Sequence, residues 1–298
     1  MQIGKLVVIG VGLIGASFAL ALRAAGAVRE VVGVGRGKSN LDAALAAGAI
    51  DRAYRLDGAW KPELRDADVV VLATPVGQYA GLFRAIAPCL DAGFVLTDAG
   101  STKRGVVTEA RDAFGAQMTR FVPGHPIAGS DRSGASAASA QLFAGRNVVL
   151  TPVAETAADA TSRVQALWTA CGARVCQLTP DDHDRVFAAV SHLPHLAAFA
   201  LVADVAARAD ADALLALAGS GFRDFTRIAA SSPEMWRDIA LANRDALRAE
   251  IARLRAALAS ADASLAARDG AALEALFARA ATARRRWDAS LPIADDGA

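Results

Sequence analysis

The chain has 298 residues, 54% of them hydrophobic but only 6% aromatic, and a formal net charge of +1. That length fits about two domains with sizeable cores. Charges of both signs are spread along it, without the basic face or block of a nucleic-acid-binding protein, and no apolar run is expected to span a membrane free of charges or breakers.

Alanine fills much of the apolar share, so a helix-rich protein is the first expectation. A short apolar run at 6–9 predicts a first strand, and 12–25 predicts a helix ending near Gly26. The run at 6–10 leads into a glycine motif, so it is not read as a secretory signal. Further strands are predicted at 31–34, at 68–73 before Thr74-Pro75, and at 94–97 before Asp98. Residues 121–122 and 148–150 are shorter candidates, and 173–178 reads as an edge strand. Continuous apolar strands separated by helices imply a parallel sheet covered on both faces.

The pattern changes at Thr179-Pro180-Asp181-Asp182, a helix start with a cap, a first-position proline and acidic groups at the positive helix end. From there the sequence reads as helix almost to the end. Ser232-Pro233-Glu234 is a second start of the same kind. It is expected to open one helix with Trp236, Ile239, Asn243, Leu247, Ile251, Leu254 and Leu258 on a single stripe. That stripe is more than a lone helix can bury and suggests packing in a helical domain and against a second subunit. The expected domains are 1–178 and 179–290, with a frayed tail over 291–298.

Between the first strand and helix lies Gly10-Val11-Gly12-Leu13-Ile14-Gly15. In that context a GxGxxG turn binds a dinucleotide. Gly10 permits the tight turn, Gly12 lets backbone approach the pyrophosphate, and Gly15 lets helix and strand pack closely. The anion then sits at the helix N-terminus. Leu13, Ile14, Thr74 and Pro75 are counted with this cofactor site. Where an NAD site usually carries Asp or Glu, the second strand ends in Gly35-Arg36-Gly37-Lys38-Ser39. Arg36 can stack on adenine and pair with a 2′-phosphate, so NADP is expected to be preferred, with NAD possible.

All four histidines, His125, His183, His192 and His195, lie beyond residue 100. His125 sits where a strand end runs into a Pro/Gly-rich loop, the region where open α/β sheets gather ligands. Its ordinary pKa suits proton transfer, so it is a base candidate, with a structural loop histidine as the alternative. Ser101 follows another strand end and reads either as part of the same crevice or as part of a helix cap. His192 and His195 share a helix face that Pro194 must kink or restart. His183, in the acidic helix start, reads as a solvated surface residue. Arg227 reads either as one half of an intrahelical pair with Asp224 or as a receiver of a substrate carboxylate. Cys89, Cys171 and Cys176 lack zinc-type spacing and read as reduced core thiols of a cytoplasmic protein; no metal is expected.

Taken in order, GVGLIG at 10–15, ATPV at 73–76, DAGSTK at 98–103, HPIAGSD at 125–131, SHLPH at 191–195 and GFRDFTRIA at 221–229 resemble the prephenate/arogenate dehydrogenase family of tyrosine biosynthesis. The resemblance implies an α/β Rossmann-type dinucleotide-binding domain followed by an all-α domain that forms a homodimer. It implies oxidative decarboxylation of a cyclohexadienyl substrate with hydride transfer to a nicotinamide. His125 would then be the base toward the ring hydroxyl, and Ser101 would bond that hydroxyl or the histidine beside the nicotinamide. Arg227 would bind a substrate carboxylate, His195 would help bind substrate with support from His192, and Asp131 would gate the pocket. No extra domain is expected on either side. Two other readings are weaker. A β-hydroxyacid-type dehydrogenase uses a helix lysine as base, and no lysine occurs after Lys103. A non-catalytic NADP(H)-binding protein need not keep His125, Ser101 and Arg227 together.

Overall fold

A computed structural model describes residues 2–89, 94–130 and 132–290. The chain divides into two compact units, Met1–Leu247 and Arg248–Ala298.

The first unit opens with β1 (Ile3–Ile9), α1 (Leu13–Ala24), β2 (Val28–Gly35), α2 (Lys38–Ala46) and β3 (Arg52–Arg55). It continues through β4 (Val69–Leu72), α3 (Tyr79–Ile86), β5 (Val95–Asp98), α4 (Arg104–Phe114) and β6 (Phe121–Val122). These strands form one parallel sheet in the order β3-β2-β1-β4-β5-β6. The order reverses between β1 and β4, and that switch point is where such sheets bind ligands. Along β1 the buried side chains alternate: Leu6 and Val8 join one apolar cluster, Val7 and Ile9 the other. Both faces are therefore covered, as the unbroken apolar strands predict. Each such side chain contributes roughly 1.5–3 kcal/mol by leaving water.

A smaller sheet follows, of β7 (Gly124–Pro126), β8 (Asn147–Leu150) and β9 (Arg174–Gln177), with α5 (Ala158–Ala170) between the last two. β7 runs antiparallel to β8 and pairs His125 with Val149. His125 thus sits in a short strand, not in a loop. β7 carries no strand signal in the sequence because Pro123 precedes it and Pro126 ends it, and β3 carries none because it is a polar edge strand: Arg52 on it bonds Glu30 and Glu63.

Thr179 caps α6 (Pro180–Phe187) by accepting from Asp182 N at 3.1 Å. Pro194 is accommodated by a π-helical turn over Ala188–His192, after which α7 (Leu193–Ala206) restarts with the proline in its first turn. Such a turn is the usual answer to a missing amide inside a helix. Because the helix runs on through this proline, Pro180–Ala206 spans 27 residues, and its most apolar 18-residue window has a mean hydropathy of 1.8, long and apolar enough by length and composition to cross a membrane. The run still contains Pro194, read from the sequence as a kink or restart, and the helix restarts there after the π-helical turn. Only 22% of its most apolar window is buried, so α7 presents apolar surface.

Next come α8 (Ala211–Ala216), α9 (Ser220–Thr226) and α10 (Pro233–Ala242), the last capped by Ser232. The single long helix expected after Ser232 is instead two. Asn243 breaks it with φ −108° and ψ 30°, and α11 (Arg244–Ala266) follows. The break has a cause: the Asn243 amide is turned inward to donate to the Asp184 carbonyl at 2.7 Å and to His192 at 3.0 Å.

The second unit holds the rest of α11 and α12 (Gly270–Ser290), joined through Arg268 at φ 51° and a cap from Asp269 to Ala272 N. Leu258, Leu265, Phe277 and Trp287 on these helices are all more than half exposed. The expected frayed tail, 291–298, lies outside the described residues.

Candidate active site

The glycine turn has the geometry its sequence requires. Gly10 has φ +101°, and a Cβ there would lie 2.5 Å from the Ala73 carbonyl and 2.7 Å from Thr74 N. A Cβ on Gly15 would lie 2.3 Å from the Gly10 carbonyl. A Cβ on Gly12 would meet nothing within 4 Å, so the space above the first turn of α1 is open. No side chain caps that turn. Free amides and the helix dipole there fit a pyrophosphate. Ala73 and Thr74, just past the end of β4, are brought against the turn at the switch point, and Pro75 follows them. Arg36 is exposed at the end of β2 and lies 3.7 Å from Glu234 of α10. Lys38 is occupied by Asp42, one helical turn away.

One carboxylate ties together the chain segments that carry Ser101 and His125. Asp98, fully buried at the end of β5, accepts from Gly100 N at 2.8 Å and from Gly124 N at 3.0 Å. The residues that follow these two glycines are Ser101 and His125. Lys103, equally buried, donates its ammonium to the same carboxylate. Burial pushes the Lys103 pKa down, and the Asp98 and Asp184 charges pull it back up. A buried pair of this kind is costly to break, about 3–5 kcal/mol when one partner is removed.

His125 Nδ1 lies 2.8 Å from His183 Nε2, and His183 Nδ1 lies 2.8 Å from Asp184 Oδ1. Asp184 also accepts from Lys103 N and Arg104 N, which seats α6 on the start of α4. His183 is fully buried, contrary to its reading as a surface residue. The signal was present: His183, Asp184, Phe187, Ala188 and His192 are buried at helical spacing, so they share the inner face of the helix. Burial, the His183 ring and the Lys103 ammonium hold the His125 pKa well below the ordinary histidine value, so it is a neutral acceptor at physiological pH.

His192 and His195 face different partners. His192 accepts from Asn243 at Nδ1, and burial pushes its pKa down to about 4. It packs beside the Ser101 backbone, linking the π-turn to the end of β5. His195 donates from Nδ1 to the Ser191 carbonyl at 2.9 Å and stacks on Trp236, with centroids 3.7 Å apart. Burial lowers its pKa too, and Arg227 adds to the effect. Arg227 is exposed and makes no ion pair among the described residues; the pair with Asp224 considered from sequence does not form. Asp131 lies outside the described residues. No group of three or more His, Cys, Asp or Glu that could hold a metal occurs among the described residues.

Two family models match the chain in succession. The nucleotide-binding domain of prephenate dehydrogenase matches residues 18–177, and its dimerization domain matches 179–279. The chain belongs to the prephenate dehydrogenase family. A prephenate dehydrogenase of Bacillus subtilis is 37% identical over 79% of this chain, which spans 63% of that relative. A cyclohexadienyl dehydrogenase of Zymomonas mobilis is 36% identical over 67% of this chain and 70% of its own length. Among solved structures, the prephenate dehydrogenase of Aquifex aeolicus in complex with hydroxyphenyl propionate and NAD+ superposes with a TM-score of 0.85. It is 32% identical, covering 96% of this chain and 98% of the other. The arogenate dehydrogenase of Synechocystis gives 0.77 at 29% identity, with 95% and 99% covered. This family member is therefore a dehydrogenase of the prephenate/arogenate class, with a nicotinamide-dinucleotide-binding domain and the family's helical dimerisation domain.

Proposed function

We propose that this enzyme catalyses oxidative decarboxylation of prephenate, arogenate or both, in tyrosine biosynthesis, with His125 as the base. One observation carries the assignment of the base. His125 is engaged at Nδ1, while its Nε2 has no partner among the described residues. A neutral imidazole that donates from one nitrogen presents the other as an acceptor.

The open space over Gly12 and the uncapped start of α1 fit a dinucleotide, with Gly10, Gly12, Leu13, Ile14 and Gly15 around its pyrophosphate. A nicotinamide bound there would supply the hydride acceptor for the ring carbon that bears the hydroxyl. His125 accepts the hydroxyl proton at Nε2 as that carbon is oxidised. The ring carboxylate then leaves as CO2, its bonding electrons complete the aromatic ring, and the phenolic oxygen takes its proton back from His125. Ser101, fixed across Asp98 from His125, bonds the hydroxyl or the imidazole. Arg227, an unpaired cation beside His195, holds a carboxylate of the substrate. His195, with Nδ1 tied to Ser191, offers Nε2 to the substrate, and Trp236 fixes its ring plane. His192 supports this arrangement from the π-turn.

We infer a preference for NADP from the absence of a carboxylate at the end of β2 and the presence of Arg36 there. One observation favours NAD instead: the Glu234 carboxylate lies 3.7 Å from the Arg36 guanidinium and would repel a 2′-phosphate bound to it. The domain division proposed is 1–178 and 179–290, supported by the succession of the two family matches. A cytoplasmic homodimer through the helical domain accounts for the exposed apolar side chains of α7, α11 and α12. Initial rates for each substrate with each cofactor test the reading. Turnover of either substrate supports it, and faster turnover with NAD would reverse the cofactor preference.

A further inference from the structure

The His125 ring is held by His183 and Asp184, which none of the sequence motifs contains. Asp184 accepts from Lys103 N at 2.8 Å, from Arg104 N at 2.9 Å and from His183 Nδ1 at 2.8 Å. Burial alone would raise its pKa, but these bonds outweigh burial and hold it below the usual carboxylate range. The carboxylate therefore only accepts, and His183 must carry its proton on Nδ1. A neutral His183 then has a bare Nε2. Because that nitrogen only accepts, His125 must donate to it from Nδ1 across the 2.8 Å contact. His125 is left with its lone pair on Nε2. The tautomers of both rings are thus fixed, in sequence, from one carboxylate.

We propose that His183, anchored by Asp184, is a positioning residue that holds His125 in its Nδ1–H tautomer and shares its charge during turnover. This rests on His125 being the base in the reaction above. As Nε2 of His125 takes the substrate proton, its Nδ1 proton can pass to Nε2 of His183. One proton enters the pair, and its charge comes to rest against Asp184. When the phenolic oxygen takes the proton back, both rings return to their starting tautomers. The neighbours suit this shuttle. Phe187 packs against both imidazoles, with ring centroids 4.9 Å from His125 and 4.6 Å from His183, and wedges them in place. The charged and titratable groups around the pair are Lys103 and Asp98 from the β5 side, Asp184 on α6 and His192 on the π-turn. The base lies on the strand domain and its support on the first helix after residue 179, so the device joins the two matched segments.

Two measurements test the proposal. With only four histidines in the chain, nitrogen-15 NMR of histidine-labelled protein can assign each tautomer without substrate or turnover. The expected result is Nδ1–H for both His183 and His125. A proton on His125 Nε2 would overturn the proposal. In kinetics, His183→Leu should lower kcat by about 100-fold, with KM and the dissociation constant of the cofactor within about threefold. His183→Gln, whose side-chain oxygen can still accept from Nδ1, should retain about tenfold more activity than His183→Leu. A His183→Leu kcat within threefold of wild type, or equal losses in both variants, would also overturn it. A wild type that turns over neither substrate would refute the reaction while leaving the NMR result to stand or fall alone.

Discussion

Acidification should destabilise this fold through His192, and by an amount that can be worked out. The side chain is 1% exposed, and its pKa is pushed down to about 4. Burial is the largest cause, Asp184 opposes it, and His183 and His195 add to it. In the unfolded chain the same group titrates near 6.5. The unfolded state therefore binds a proton that the folded state refuses, and stability is lost as pH falls below the unfolded value. Linkage gives a loss of about 2 kcal/mol between pH 8 and pH 5 from this group alone. For a chain of this size that is about 3 °C in melting temperature. His192→Asn removes the titration but keeps an oxygen where Nδ1 accepts from Asn243. The assay is thermal unfolding of both proteins at fixed concentration, at pH 8 and pH 5. Wild type should lose about 3 °C more than the variant. Equal losses would show that His192 is not a buried neutral group. His125 and His183 titrate in both proteins, so the comparison removes all of their contribution but its coupling to His192.

His125→Asn should lower kcat by about 10²–10⁴-fold with KM nearly unchanged, because a base acts mainly in the transition state; an unchanged kcat removes it from that role. Arg227→Ala should raise KM by more than about tenfold, and a KM within about twofold of wild type would count against carboxylate binding. Lys103→Met should cost about 3–5 kcal/mol in chemical denaturation, since it strands the buried Asp98 charge, and a loss under about 1 kcal/mol would refute that pairing. Glu234→Gln should improve kcat/KM for NADP relative to NAD by about tenfold or less, as expected when a partly exposed charge is removed; no change would separate Glu234 from the cofactor site.

The sheet was legible because β1, β2, β4 and β5 are buried on both faces and so read as unbroken apolar runs. The exposed edge strand β3 and the three-residue strand β7, which ends in a proline, carry no such pattern. The glycine turn was legible because Gly10 and Gly15 answer to backbone contacts two to three ångströms away, which no other residue tolerates. His125, Ser101 and Arg227 could be singled out as strand-end or helix-break residues, but not joined. What joins the segments of the first two is Asp98, a buried acid contacting amides as far as 26 residues along the chain, and long-range bonds of that kind leave no local spacing to read. His183 was misjudged because its flanking aspartates suggested a solvated helix start. One of them, Asp184, is instead the buried anchor. Asn243 sat on an apolar helical stripe, yet its amide is what breaks that stripe into two helices.

The most direct test of the reaction assigned to this family member uses prephenate and arogenate labelled at the ring carboxyl carbon. The account predicts that labelled CO2 is released one-for-one with reduced cofactor, and that the His125→Asn variant abolishes both together. Cofactor reduction with the label retained in the product would contradict it.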